Sequence, residues 1–322
     1  MKNNLLSIVI PAYNVDNYLE NSVKSLGNFL FDTRVEIIIL NDGSTDRTLK
    51  IANHLKNIYC NITVIDKKNG GLSDTRNLGN SIATGKYIYF FDADDYLNDD
   101  KISDVLDLLE NKDLDLLCFG YSKVSEAGDM LSKHTLNSDI FIKNLSSLEF
   151  IKLLLSGGNE PIAGYLPTKI IKHSLVKQMK FMQMNYEDMP FVLEFVLKYS
   201  GLKIVYMDSV VYNYVQRNKS ITHSSSEKNM IDKLFSLQLV RKLIAEYRLP
   251  NDIIVLNNKR SVVAALWASS INKRRLNSAA VAIAANKQFN FTFLFSEPCS
   301  NLYLKIKMLY YFFYNKNIIR SN

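Results

Sequence analysis

Asp92, Asp94 and Asp95 stand within four positions of one another, directly after the apolar and aromatic run Tyr87 to Phe91. Carboxylates this close repel one another unless a cation sits among them. A hard divalent ion such as Mg²⁺ or Mn²⁺ takes oxygen ligands and bridges them to substrate phosphates. The same residues also suit a solvated acidic turn capping a helix that starts near Asp99. A second acidic pair, Glu187-Asp188, precedes a segment with Phe191, Phe195 and Val196 at helical spacing. Backbone N–H groups at a helix start favour the ionised carboxylate. That is the state a general base needs at neutral pH, and also the state of a plain capping residue. Elsewhere, Tyr13 can stack on a nucleobase, Asp42 can accept a base N–H, and Arg76 can meet a base oxygen or a phosphate.

These residues fall at the ends of a regular series of elements. Apolar runs at Leu5–Ile10, Val35–Leu40, Ile62–Ile65 and Tyr87–Asp92 read as buried strands. Between them lie a helix opened by Asp16 or Asn17, a second capped by Ser44 or Thr45, and a third over about 72–83. Strands alternating with helices of this length predict βαβ units and a parallel, doubly wound sheet. Ligands bind outside the carboxyl ends of such strands. Four loops converge there: Pro11 to Asn14, Asn41 to Ser44, Asn69 to Asn77 and Asp92 to Asp95. No Walker lysine loop and no GxGxxG follows the first strand, against P-loop NTPases and dinucleotide dehydrogenases. Further on, Leu114–Tyr121 reads as a strand, 122–144 as a hairpin-like excursion, Leu148–Leu155 as a helix and Lys203–Val215 as a strand. Pro190 suits the first position of the helix after Asp188.

Composition sets the frame. A chain of 322 residues holds one large domain or a domain with an extension. Three widely spaced cysteines, with no CxxC, indicate neither a disulfide framework nor a zinc site and favour a reducing compartment, the cytoplasm. No signal peptide and no transmembrane run is predicted. Residues 251–322 hold ten Lys/Arg against Asp252 and Glu297, so the net charge of +7 resides in the C-terminal part. The aromatic, cation-flanked stretch 301–314 suits an interfacial helix on an anionic membrane surface or a helix packed on the domain. Its aromatics form a block rather than a strand platform, so no nucleic acid is expected as partner.

The motifs together resemble the inverting family 2 glycosyltransferases of GT-A fold. They are Ser7-Ile-Val-Ile-Pro-Ala-Tyr-Asn14, Asn41-Asp-Gly-Ser-Thr-Asp46, Gly70-Gly-Leu-Ser-Asp-Thr-Arg-Asn77, Phe91-Asp-Ala-Asp-Asp95, Tyr186-Glu-Asp188 and Arg217-Asn-Lys-Ser-Ile221. The resemblance implies a Rossmann-like α/β domain over 1–225 with a mainly helical, basic extension over 226–322. It implies sugar transfer from a nucleotide sugar, a UDP-sugar first, to a hydroxyl of a growing glycan that relatives often carry on a lipid, with Mn²⁺ or Mg²⁺ as cofactor. On that basis Pro11, Tyr13, Asn14, Asp42, Gly43, Arg76 and Asp92 are donor contacts, and Arg217 and Ser220 phosphate contacts that close later. Asp94 and Asp92 are the metal ligands, with His223 as a further one or a plain surface histidine. Asp188 is the general base, and Glu187 positions or binds the acceptor. Asp74 stands where the family commonly has a small residue, and it either bears on donor choice or faces solvent. A nucleotidyltransferase making activated sugars shares the layout and the metal, but its Gly-rich loop after the first strand is absent. A non-catalytic nucleotide- or glycan-binding module is the other alternative.

Overall fold

The computed structural model describes residues 4–137, 139–156, 161–162, 164–217, 226–276, 278–288 and 302–321, the side chains of 302–305 and 321 excepted. Two compact units emerge. The first holds residues 1–154, 158–183 and 195–217, the second 155–157, 184–194 and 218–322.

The first unit opens with β1 (Leu6–Ala12), α1 (Leu19–Lys24), β2 (Val35–Asp42), α2 (Thr48–Ile58), β3 (Ile62–Lys67), α3 (Leu72–Ile82) and β4 (Tyr87–Phe90). Then come β5 (Tyr96–Leu97), α4 (Ile102–Asn111), β6 (Leu116–Ser125), β7 (Met130–His134), β8 (Ile142–Leu145), α5 (Ser147–Ser156), β9 (Lys169–Lys172), α6 (His173–Val176) and β10 (Ile204–Gln216); α7 (Asp188–Lys198), which precedes β10 in the chain, begins in the second unit. The strands form one sheet in the order β3-β2-β1-β4-β9-β6-β10-β5, with β7 beside β6 and β8 beside β10. The expected doubly wound half is the run β3-β2-β1-β4, parallel throughout. Beyond it the sheet is mixed: β9 runs antiparallel to both β4 and β6, while β10 returns parallel to β6. β1 and β4 are central and buried on both faces, so they read as unbroken apolar runs rather than alternating ones.

Several local expectations shift for identifiable reasons. β4 ends at Phe90, because Asp92 and Asp95 close a turn through Asp95 N–H to Asp92 O at 3.2 Å. Neither Ser44 nor Thr45 caps α2: Asp46 Oδ1 accepts the Thr48 N–H at 2.9 Å, while Ser44 Oγ accepts from Asn14 N–H. Asp16 does not cap α1 but receives Arg47 Nε at 3.1 Å. Pro190 is the third residue of α7, not its first, still within the turn whose N–H groups lack intrahelical partners.

The second unit contains α8 (Glu227–Glu246), α9 (Asn251–Ile271), α10 (Ala279–Asn286) and α11 (Leu302–Ser321). Its core joins Met230, Leu234 and Leu237 of α8 to Val262, Ala265 and Ala268 of α9, Val281 and Ala285 of α10, and Met308 and Tyr311 of α11. Ser226 opens α8 as a true cap, its hydroxyl accepting Asn229 N–H at 3.2 Å. No helix among the described residues is long and apolar enough to cross a membrane.

Candidate active site

Because β1 to β4 are parallel, the loops leaving them share one sheet edge. β2 and β3 put Asp42 directly across from Lys67 in register. Lys67 Nζ reaches Asp42 Oδ1 at 2.6 Å and Asp74 Oδ2 at 2.8 Å. Asp42 also accepts the Gly70 and Gly71 amides, each at 2.8 Å. Burial alone would raise its pKa. The Lys67 ammonium and the two amides more than offset this and hold the carboxylate below its usual range. Asp42 is therefore a fixed, ionised acceptor. Gly43 follows with φ +68, and a Cβ there would lie 2.8 Å from the Asn69 nitrogen, so a side chain would push the Asn69–Gly71 loop off the carboxylate.

Tyr13 projects from the end of β1 and is half exposed. Pro11 stays in β1 beside Leu40. Asn14 adopts φ 51, which Asn tolerates better than most residues, and its Oδ1 accepts Thr45 N–H at 2.8 Å. It thus ties the first loop to the second.

The acidic turn after β4 alternates. Asp92 and Asp94 are half-buried, whereas Ala93 and Asp95 are buried. Arg76 projects from α3 and gives Nη2 to Asp92 Oδ1 at 2.9 Å, with its guanidinium 5.8 Å from the Phe181 ring centre. Asp94 pairs with Arg217, which follows β10 and lies 4.8 Å over the Tyr18 ring. The Arg217 Nε is buried with no hydrogen-bond partner among the described residues. Asp95 is not a surface ligand. It takes the Tyr212 hydroxyl and the Val215 N–H at 2.7 Å, which fastens the end of β10, and hence Arg217, to the acidic turn. Burial, reinforced by the charge of Asp92, pushes its pKa well above the usual carboxylate range.

Asp92 and Asp94 suit a divalent cation. Their carboxylates offer hard oxygen donors at one loop, partly open to solvent. Mg²⁺ and Mn²⁺ commonly take one or two carboxylates and complete their shell with phosphate and water. Among the described residues no group of three or more acidic, His or Cys side chains is gathered for a metal. His223 and Ser220 lie outside the described residues.

Glu187 and Asp188 belong to the second unit. Asp188 is the first residue of α7, and Glu187 is buried before it. The preceding loop is pinned to α8: Asn185 N–H meets Asp232 Oδ2 at 3.0 Å, and Ser236 Oγ donates to Tyr186 O at 2.8 Å. Tyr186 has φ 62. This anchored, unusual backbone sets the direction in which the acidic pair enters the helix.

Residues 7–164 match the family model for glycosyl transferase family 2. This segment is a family 2 glycosyl transferase domain. GlyA, a glycosyltransferase of Streptococcus pneumoniae, is 25% identical over 227 residues, 70% of this chain. The chain spans 32% of that relative's length. Residues 1–349 of S. aureus TarS in complex with UDP-GlcNAc superpose with a TM-score of 0.65 at 19% identity, over 98% of this chain and 91% of theirs. The mannosyltransferase PcManGT of Pyrobaculum calidifontis, in complex with GDP-Man and Mn²⁺, gives 0.54 at 13%, over 97% of this chain and 87% of its own. At such identities the likeness shows the fold, the GT-A type expected from the sequence.

Sequence reasoning missed two side chains that shape the edge, Lys67 and Tyr18. Lys67 neutralises Asp42, and its signal was a lysine at the strand end next to β2. Asp74, which the sequence singled out, is partly exposed and its carboxylate helps hold Lys67. Tyr18 lies beneath Arg217, and its hydroxyl donates to Glu126 at 2.9 Å. No local motif marks that role.

Proposed function

We propose that this glycosyltransferase moves a sugar, with inversion, from a nucleotide-sugar donor, a UDP-sugar in first place, to a hydroxyl of a growing glycan, which a lipid carrier can hold. The observation that supports this most is the pairing of a fixed, ionised Asp42 with two arginine-neutralised carboxylates on one sheet edge. Asp42 accepts the N–H of the base, and the exposed Tyr13 offers a ring for it to stack on. Arg76 and Arg217 supply positive charge for the diphosphate. The buried, unsatisfied Nε of Arg217 is suited to a phosphate oxygen. Asp92 and Asp94 would hold Mn²⁺ or Mg²⁺, which when bound neutralises charge on the departing diphosphate. The nucleotide sugars and Mn²⁺ bound by the fold neighbours lend support to this donor chemistry. Asp188 takes the acceptor hydroxyl proton as the new bond forms, and Glu187 positions the acceptor. We place the enzyme in the cytoplasm, with residues 1–225 as the transferase domain and 226–322 as its extension.

The test is Asp188→Asn, which keeps the shape and removes the basicity. General-base catalysis contributes about 10²–10⁴ in rate. Turnover with a panel of nucleotide sugars and Mn²⁺ should fall by about that factor, while donor affinity stays within about threefold. A variant with near-normal turnover, or with donor binding lost instead, overturns the assignment.

A further inference from the structure

The second unit leaves one stripe of α11 uncovered. Met308, Tyr311, Asn315 and Ile318 face inward and are buried, with Asn315 Nδ2 donating to Ser269 Oγ at 2.9 Å. The exposed positions are Ile306, Leu309, Tyr310, Phe313, Lys316, Asn317 and Arg320. At 3.6 residues per turn these occupy a single face. Its first two turns are apolar and aromatic, with Ile306 57% and Phe313 58% exposed. Its last turns carry cations.

A second basic group adjoins the apolar part. The turn after α9 presents Lys273, Arg274 and Arg275, all exposed. Lys273 hydrogen-bonds the Tyr310 hydroxyl and lies 4.8 Å over the Tyr310 ring and 5.3 Å over that of Tyr314. The apolar stripe is thereby met by Lys273, which Arg274 and Arg275 follow in the same exposed turn, and it is continued by Lys316 and Arg320. Between residues 253 and 321 the sequence has one acid, Glu297.

We infer that this face docks on an anionic lipid bilayer. Phe, Leu and Ile side chains on one helix face, a Tyr with a polar tip, and cations beside them are the composition that seats a helix in the headgroup boundary. A second copy of the chain fits the face poorly, since two such basic surfaces would meet cation to cation. An aqueous anion answers the cations but leaves Ile306, Leu309 and Phe313 in water. The face is built from the second unit's own helices and uses none of the strand-end residues, so the inference does not rest on the donor reading.

The experiment is co-sedimentation of the full chain with vesicles of phosphatidylcholine alone and of phosphatidylcholine with phosphatidylserine. Retention is expected on the anionic vesicles, weakening as salt rises. Arg274→Ser with Arg275→Ser should lower the partition coefficient about 30-fold, about fivefold per cation. Ile306→Asp with Phe313→Asp should lower it at least about tenfold. Both side chains are exposed, so circular dichroism, thermal unfolding and turnover on a soluble acceptor should stay unchanged. Equal retention on both vesicle types, retention on neither, or undiminished binding by the variants overturns the inference. So does concentration-dependent self-association of the free chain that Ile306→Asp with Phe313→Asp abolishes, which assigns the face to a second copy.

Discussion

Arg76 is a buried cation at the strand-end edge, paired with Asp92. Its side chain is 2% exposed, whereas that of Asp92 is 30% exposed. Replacing Arg76 by Met keeps most of the apolar volume near Phe181 and removes the charge. Breaking a buried ion pair by deleting one partner costs about 3–5 kcal/mol. Water reaches Asp92 in part, so the lower end applies, about 3 kcal/mol. That corresponds to a Tm lower by about 6–12 °C for a unit of this size. Thermal and urea unfolding of Arg76→Met, Asp92→Asn and the double variant measures it. Where the two compact units melt separately, the transition to follow is the one that Asp92→Asn shifts. If the loss arises from a stranded carboxylate, the double variant recovers most of it, and the cycle shows a coupling of at least about 1.5 kcal/mol. A loss under about 1 kcal/mol in Arg76→Met, or a double variant equal to the sum of the singles, refutes the reasoning.

Two further outcomes follow from the acidic turn. Asp94→Ala should abolish the Mn²⁺- or Mg²⁺-dependent part of UDP affinity in calorimetry while shifting unfolding by no more than about 1 kcal/mol, because its partly exposed pair with Arg217 contributes little; unchanged metal-dependent affinity rules out the ligand assignment. Asp95→Asn should flatten the pH profile of stability. In the folded chain Asp95 holds its proton to higher pH than in the unfolded chain, where it titrates near about 4. The wild type therefore loses stability from this group as pH rises from there towards the folded pKa. The Asn variant, still able to accept the Val215 N–H, gains on the wild type over that window, and parallel denaturation profiles from acid to neutral pH would falsify this.

The sequence made strand ends legible and left their cross-chain partners hidden, for a physical reason. β1 to β4 are buried on both faces, so hydrophobicity alone marks them, and each closes in residues whose types announce chemistry. What those residues touch depends on register and on distant segments. Asp42 and Lys67 are 25 positions apart and meet because β2 and β3 run side by side in one register. Asp95 looks identical in sequence to Asp94, yet the turn sends it inward to Tyr212, 117 positions away. One member of an acidic triplet thus becomes part of the scaffold while its neighbour stays at the surface. Local chemistry misled where two residues compete for one role: Asp46 lies closer to the first turn of α2 than Ser44 or Thr45, and the freed Ser44 binds the Asn14 amide instead. The helical unit shows the opposite limit. In α11 apolar and aromatic residues occur all round the helix, so its periodicity is faint in sequence. Only the packing of Met308, Tyr311 and Ile318 against their neighbours reveals which face is left over, and that face carries both exposed apolar side chains and cations.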